Sequence, residues 1–248
     1  MTRADNRGPD KLRPWKITSR VIDHAEGSAL VECGRTRVLC TASIENKVPA
    51  FLKGTSRGWI TAEYAMLPRA TQVRSPRERG NRVAGRTLEI QRLIGRSLRS
   101  IADLELLGER SIIIDCDVLQ ADGGTRVASI TGGWVALHDA VTKLLQAGEI
   151  PRPPLLDSVA AVSVGVVERE NFLDLDYEED STAEVDMNVV MTGQGRLVEV
   201  QATAERASFS LARLNALIRL AANGITELRE LQQKAIRWGD GEMREENS

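Results

Sequence analysis

Histidine is nearly missing from this chain, with His24 and His138 its only two in 248 residues. His24 falls in a turn and His138 among apolar residues of a helical stretch, so acid–base chemistry on a histidine pair is excluded. Cysteine is scarce too. Cys33, Cys40 and Cys116 form no C-x-x-C pair and have no histidine nearby. That argues against zinc and for buried free thiols in a reducing cytoplasm. No segment approaches the roughly 18 uninterrupted apolar residues of a membrane span. Met1 to Pro14 is polar and charged, unlike a signal peptide. The G-x-S-x-G and H-E-x-x-H motifs are absent, as are a Walker A loop and the dinucleotide fingerprint. What remains is chemistry that needs no strong protein nucleophile: positioning, charge neutralisation, and one acid or base.

What is present is a marked separation of charge. The net charge is only -2. Yet Arg57 to Arg99 holds ten arginines, no lysine and three acids (Glu63, Glu78, Glu89). Between Glu168 and Asp186 the sign reverses, with nine acids against Arg169. Such asymmetry points to a polyanion-binding face and a separate acidic site. Arginine to the exclusion of lysine favours planar or phosphate groups.

One stretch brings these tendencies to a point. A β-rich apolar run beginning at Ser111 ends in Gly123-Gly124-Thr125-Arg126, and a helical pattern follows. A helix N-terminus offers free N–H groups and partial positive charge. The glycines let an oxyanion approach the backbone, Thr125 adds a hydroxyl, and Arg126 adds a bidentate fork. The stretch reads as an anion seat, with a glycine turn and a solvated arginine as the bland alternative. Arg86 stands at a second predicted helix start. A cation there is unfavourable by a few tenths to about 1 kcal/mol, and a bound anion would account for both placements.

The acidic block contains Asp174, Asp176, Asp180, Glu184 and Asp186. Glu184 and Asp186, two apart in a strand pattern, share a face opposite Val185, Met187 and Val189. Such carboxylates suit Mg²⁺ or a proton-transfer role. A charged strand edge that resists aggregation is the competing reading.

Residues 1–14 read as a loosely ordered arm. Strand-like runs follow near 17–22, 28–33 and 36–43, then Trp59 to Met66, with an Arg/Gly/Pro-rich loop from Pro68 to Gly85. A helix is predicted from Thr87, with Leu88, Ile90, Leu93, Ile94, Leu98 and Ile101 on its apolar stripe and Arg92, Arg96 and Arg99 off it. A strand over 111–118 and a helix over 127–147 come next, then a linker with Pro151, Pro153 and Pro154. Strands are expected near 158–167, 171–175, 184–191 and 196–203, and two helices over 208–222 and 225–238, split at Asn223-Gly224. A frayed tail is expected from Gly239. The pattern predicts an α+β fold of two similar βαβα-type halves, 1–150 and 151–240, with a tail over 241–248.

Four blocks resemble the ribonuclease PH family: Gly58–Thr71 (GWITAEYAMLPRAT), Gly85–Arg96 (GRTLEIQRLIGR), Gln120–Arg126 (QADGGTR), and Asp174–Asp180 (DLDYEED) followed by Asp186–Met191 (DMNVVM). Their order and length are far more specific than any short motif. The resemblance spans roughly residues 3–237. It implies an RNase PH-like fold and a phosphorolytic 3′→5′ exoribonuclease, a tRNA nucleotidyltransferase of the cytoplasm. Such an enzyme trims tRNA 3′ ends and other RNA, releases nucleoside diphosphates, and can run in reverse. It implies a homo-oligomeric ring, a hexamer built as a trimer of dimers, with no membrane partner. Carried over by motif, Arg86, Gly124, Thr125 and Arg126 would hold inorganic phosphate, and Asp180 and Asp186 would be the catalytic acids, binding Mg²⁺ or handling the leaving-group proton. Arg69, Arg74, Arg77, Arg92, Arg96 and Arg99 would serve the RNA path or the subunit contact. Ala202 stands where a glycine is expected, Arg206-Ala207-Ser208 departs from the expected loop, and Leu211 replaces a common arginine. An inactive ring-forming RNA-binding subunit is the alternative, marked by loss of the phosphate arginine or the acids. Neither is lost.

Overall fold

Alternating burial defines the first sheet. In β3 (Thr36–Glu45), Thr36, Val38, Cys40 and Ala42 are buried while the residues between them are not. A tight turn at Gly34, φ +55°, folds β3 back on β2 (Gly27–Cys33), which pairs with β1 (Trp15–Ser19). The chain then forms β4 (Trp59–Met66), crosses over through α1 (Gly85–Arg99), and returns as β5 (Ser111–Gln120), parallel to β4. The resulting order is β1-β2-β3-β5-β4. The computed structural model describes residues 3–78, 83–206 and 208–245, with side chains to Ile236.

After β5 comes α2 (Thr125–Gln146), buried nearly all round. It packs on β2 and β3, and on β6 (Val159–Val167) of the second sheet. Gly132 is what permits the approach to β2: a Cβ there would lie 2.4 Å from Val31 Cγ2. The second sheet adds β7 (Glu170–Leu173), β8 (Val185–Thr192) and β9 (Leu197–Ala204), in the order β7-β6-β8-β9. The closing helix α4 (Leu211–Glu245) packs on β6, β1 and α2. Val185, Met187 and Val189 join the α4-side core with Leu217, Ala221 and Leu228. Val190, on the opposite face of β8, belongs to the core around α2. β8 is therefore covered on both faces, and Asp186 projects on the α2 side rather than from a free edge. Among the described residues no helix is long and apolar enough to cross a membrane.

The fold is α+β, and it departs from the sequence reading in four places. Asn223-Gly224 does not divide two helices, because α4 runs through it. The glycine serves packing: a Cβ would come 2.8 Å from Leu173 Cδ1. The helix also continues through residues 239–245, in place of the expected frayed tail; residues 246–248 lie outside the described residues. The arm before β1 is tied down, with Arg3 and Arg13 each 4% exposed. Finally, the acidic segment contains an unpredicted short helix, α3 (Tyr177–Thr182). Its signal was Asp176-x-x-Glu179. Asp176 caps the N–H of Glu179, whose side chain accepts from the N–H of Asp176, and both bonds of the capping box form.

Candidate active site

Gly123 and Gly124 set the site's frame. Both have left-handed backbones, φ +76° and +69°. At Gly123 a Cβ would stand 2.7 Å from both Asp176 C and Leu175 O. Only glycine lets this turn seat directly on the segment that opens α3. The turn is fixed from other sides too. Thr36 Oγ1 donates to Gly123 O at 2.7 Å and accepts from the Asp122 N–H at 2.9 Å, and Arg13 Nη1 donates to Asp122 O at 2.6 Å.

No side chain caps α2, whose N-cap is Gly124, or α1, whose N-cap is Ala84. Arg126 and Arg86 both fall within the first turn of their helices rather than just before them. Arg126 is mostly buried, donates to Gln201 Oε1 at 3.2 Å, and lies 3.9 Å from Glu89 Oε1. These partners offset part of the cost of a cation at a helix N-terminus. Thr125 Oγ1 shares a 2.8 Å hydrogen bond with Tyr64 OH. Tyr64 and Gln201 escaped the sequence reading, since neither sits in a glycine turn or a charge block.

Opposite this cationic turn stand Asp180 on α3 and Asp186 on β8. Burial, and next the charge of Asp180, pushes Asp186 up to about 6, with Arg126 and Arg86 pulling the other way. Burial also raises Asp180, with a hydrogen bond to Asp186 and the charges of Arg126 and Arg86 opposing it. Two carboxylates hydrogen-bond each other only when one carries a proton, so the pair titrates as a unit. Asp186 Oδ1 is buried without a partner in the protein. That orphaned oxygen and its neighbour form a hard donor pair. Mg²⁺ commonly takes one or two carboxylates and completes its shell with water and substrate phosphate. The residues thus fit the ion, although no cluster of three metal-ligating side chains exists among the described residues.

The remaining candidates separate clearly. Arg69, Arg74 and Arg77 are exposed on the segment after β4. Arg92 and Arg96 are exposed on α1, where they border a groove of about 340 Å³ shared with Glu89 and Gln201. Arg96 Nη1 pairs with Glu199 Oε2 at 2.7 Å. Arg99 is turned inward, donating to Ile60 O at 2.7 Å with its guanidinium 4.2 Å from the Trp59 ring centroid. Asp174, part of the acidic block, is fully buried and belongs to a structural pair. It accepts from Arg13 Nη2 at 2.7 Å, and from the Arg13 N–H and Trp15 Nε1 at 2.8 Å each. Ala202 lies in β9 opposite Met187 and is not among the described residues with positive φ, so the missing glycine costs no backbone strain.

Comparison with known proteins bears on the family and the fold. Residues 11–143 match domain 1 of the 3′ exoribonuclease family, and residues 157–224 match its domain 2. Among solved structures, rice (Oryza sativa) Rrp46 is 20% identical, with a TM-score of 0.75, covering 93% of this chain and 98% of that one. A chain of the Archaeoglobus fulgidus exosome with RNA bound to the active site is 24% identical, with a TM-score of 0.78, covering 92% and 91%. A chain of an archaeal exosome core is 22% identical, with a TM-score of 0.74, covering 92% and 90%. At these identities the likeness establishes the fold.

Proposed function

The chain belongs to the 3′ exoribonuclease family of RNase PH type, and on that premise we propose that it is a phosphorolytic 3′→5′ exoribonuclease that trims tRNA 3′ ends. The observation that carries this reading is the seating of the Gly123-Gly124 turn on α3, with the Asp180–Asp186 pair in the field of Arg126 and Arg86. On this reading an anion seat and a proton-handling acid pair lie close enough for each to feel the other's charge.

Inorganic phosphate sits at the start of α2, held by backbone N–H groups, Thr125 and the Arg126 fork, with Arg86 supplying a second positive charge. Tyr64 fixes the Thr125 hydroxyl. A phosphate oxygen attacks the phosphorus of the last phosphodiester. The bond from that phosphorus to the 3′ oxygen of the preceding nucleotide breaks. The released nucleotide leaves as a nucleoside diphosphate, and the shortened RNA keeps a 3′ hydroxyl. The acid pair, with Asp186 raised to about 6, supplies a proton to that leaving oxygen from its protonated fraction and recovers it in the reverse, nucleotide-adding direction. The same pair, when ionised, would instead hold Mg²⁺, which would neutralise charge on the phosphoryl oxygens. Exposed Arg69, Arg74, Arg77, Arg92 and Arg96 serve the RNA path or the contacts of a hexameric ring, and the enzyme works in the cytoplasm.

The test is product analysis of a tRNA with a 3′ extension, with and without inorganic phosphate. Nucleoside diphosphates formed only with phosphate support the reading. Nucleoside monophosphates, or digestion indifferent to phosphate, overturn it. Two of the structural neighbours are chains of exosomes, which keeps a second reading in view: a ring-forming RNA-binding subunit without activity. It expects RNA binding with no products at all, and retention of both acids and Arg126 speaks against it.

A further inference from the structure

The six-residue α3 contains no buried residue. A helix this short does not hold itself together in water. Yet it carries Asp180, whose position against Asp186 the chemistry requires. What holds α3 comes from the far end of the chain. Arg3 Nε donates to Glu179 Oε1 at 2.7 Å, and Arg3 Nη2 donates to Glu179 Oε2 at 2.6 Å. Arg7 Nη2 adds a third bond to Oε2 at 3.2 Å. The Arg3 side chain is 1% exposed and that of Glu179 is 11% exposed. The Arg3 guanidinium also donates to Leu173 O and Asp174 O, and it lies 4.7 Å from the Phe172 ring centroid. It therefore grips the strand before α3 and the helix itself. The Leu173 N–H donates to Pro9 O at 2.8 Å, extending the strap.

Glu179 is the joint. The oxygen that takes Arg3 and Arg7 also accepts from the Asp176 N–H to close the capping box, and Asp180 is the next residue along. We propose that the arm around Arg3, acting through Glu179, is a positioning device for Asp180, so that the acid pair of the active site is assembled by the N-terminal segment. Arg3 is a positioning residue: its guanidinium is taken up by Glu179, Leu173 O and Asp174 O rather than by the Arg126 seat. A bidentate fork is needed, because Lys offers a single point charge.

The inference rests on the proposed phosphorolysis, so wild-type activity is measured first; its absence rejects that function, not the strap. Given an active wild type, Arg3→Ala is expected to lower kcat on the order of 10- to 100-fold, as loss of alignment at a reacting centre does. KM for inorganic phosphate should stay within about twofold, since the Arg126 seat is untouched. Arg3→Lys should recover only part of kcat. In an Asp180→Asn background, Arg3→Ala should cost little more, because both changes remove the same function. A second readout needs no activity: carbon-detected NMR titration of the aspartate side chains in the full chain. In Arg3→Ala the upper titration of the acid pair, about 6 in the intact protein, should move toward ordinary carboxylate values, while Asp174 stays low. An unchanged kcat and an unchanged titration of the pair overturn the proposal. So does a loss of kcat that Arg3→Ala and Asp180→Asn impose independently. If Arg3→Ala misfolds, Arg3→Lys in the same titration decides: a pair titration identical to wild type refutes the strap.

Discussion

Replacing Asp186 by asparagine should stabilise the protein while disabling it, and the gain should depend on pH. Burial and the charge of Asp180 raise Asp186 from 3.8 to about 6. A carboxyl raised on folding favours the folded state below its unfolded pKa and loses that advantage as pH rises through the folded value. Above about pH 6 the wild type bears the full cost, about 3 kcal/mol for a shift of this size. The figure is an upper bound, because it belongs to a coupled pair. The substituted amide cannot ionise, and its NH₂ group can donate to Asp180 as the protonated acid does. Asp186→Asn should therefore unfold about 1–3 kcal/mol later than wild type at pH 8 and nearly together with it at pH 4, where the wild-type acid is largely protonated. For a chain of this size, that corresponds to a Tm roughly 2–12 °C higher at pH 8. The assay is thermal or urea unfolding of both proteins at equal concentration, with a chelator present and phosphate absent, so that neither ligand contributes. Turnover measured in parallel should fall at least about 100-fold. An Asp186→Asn protein no more stable than wild type at pH 8, or equally stabilised at both pH values, would refute the account of the acid pair.

Other outcomes follow from the same contacts. Arg126→Ala removes charge-assisted bonds worth about 1.5–3 kcal/mol, so KM for phosphate in steady-state kinetics should rise roughly 10- to 100-fold while RNA affinity by filter binding barely changes. Asp174→Asn leaves the buried Arg13 without its counter-charge, and equilibrium unfolding should show a loss of about 3–5 kcal/mol. Arg13 holds the Asp174 carboxyl below its usual range despite burial, so this pair's contribution is present above about pH 4 and fades as pH falls through the folded value; acid titration of wild type against the variant measures it. RNA affinity should fall log-linearly with salt, and Arg74→Ala should flatten the slope if that exposed guanidinium meets a phosphate.

Strand and helix periodicity made much of the architecture legible, because strands of the first sheet alternate buried with less buried residues, as in β3. The glycine turn was legible as well, because two glycines before a helical pattern mark a left-handed turn. What stayed hidden were interactions between distant parts of the chain. Asp174 and Asp180 look alike in an acidic run. Only the fold sends Arg13 to the first and leaves the second facing Asp186. Arg99 shares the helix and charge of Arg96, yet Trp59 captures one and Glu199 the other. Asn223-Gly224 mimics a helix stop because the local rule cannot see Leu173 packed against that glycine. β8 is covered on both sides, so the alternation that set Asp186 opposite Val185, Met187 and Val189 could not say whether its face met solvent or a covered site.

The Arg13–Asp174 pair joins residues 161 positions apart. During synthesis at about 5–20 residues per second, Arg13 waits roughly ten to thirty seconds before its carboxylate exists. Through that interval the first strand lacks the anchor for its leading end, and a basic arm stands open to any polyanion nearby. Nascent chains of this protein should thus be open to capture by cellular RNA through this arm until Asp174 has emerged.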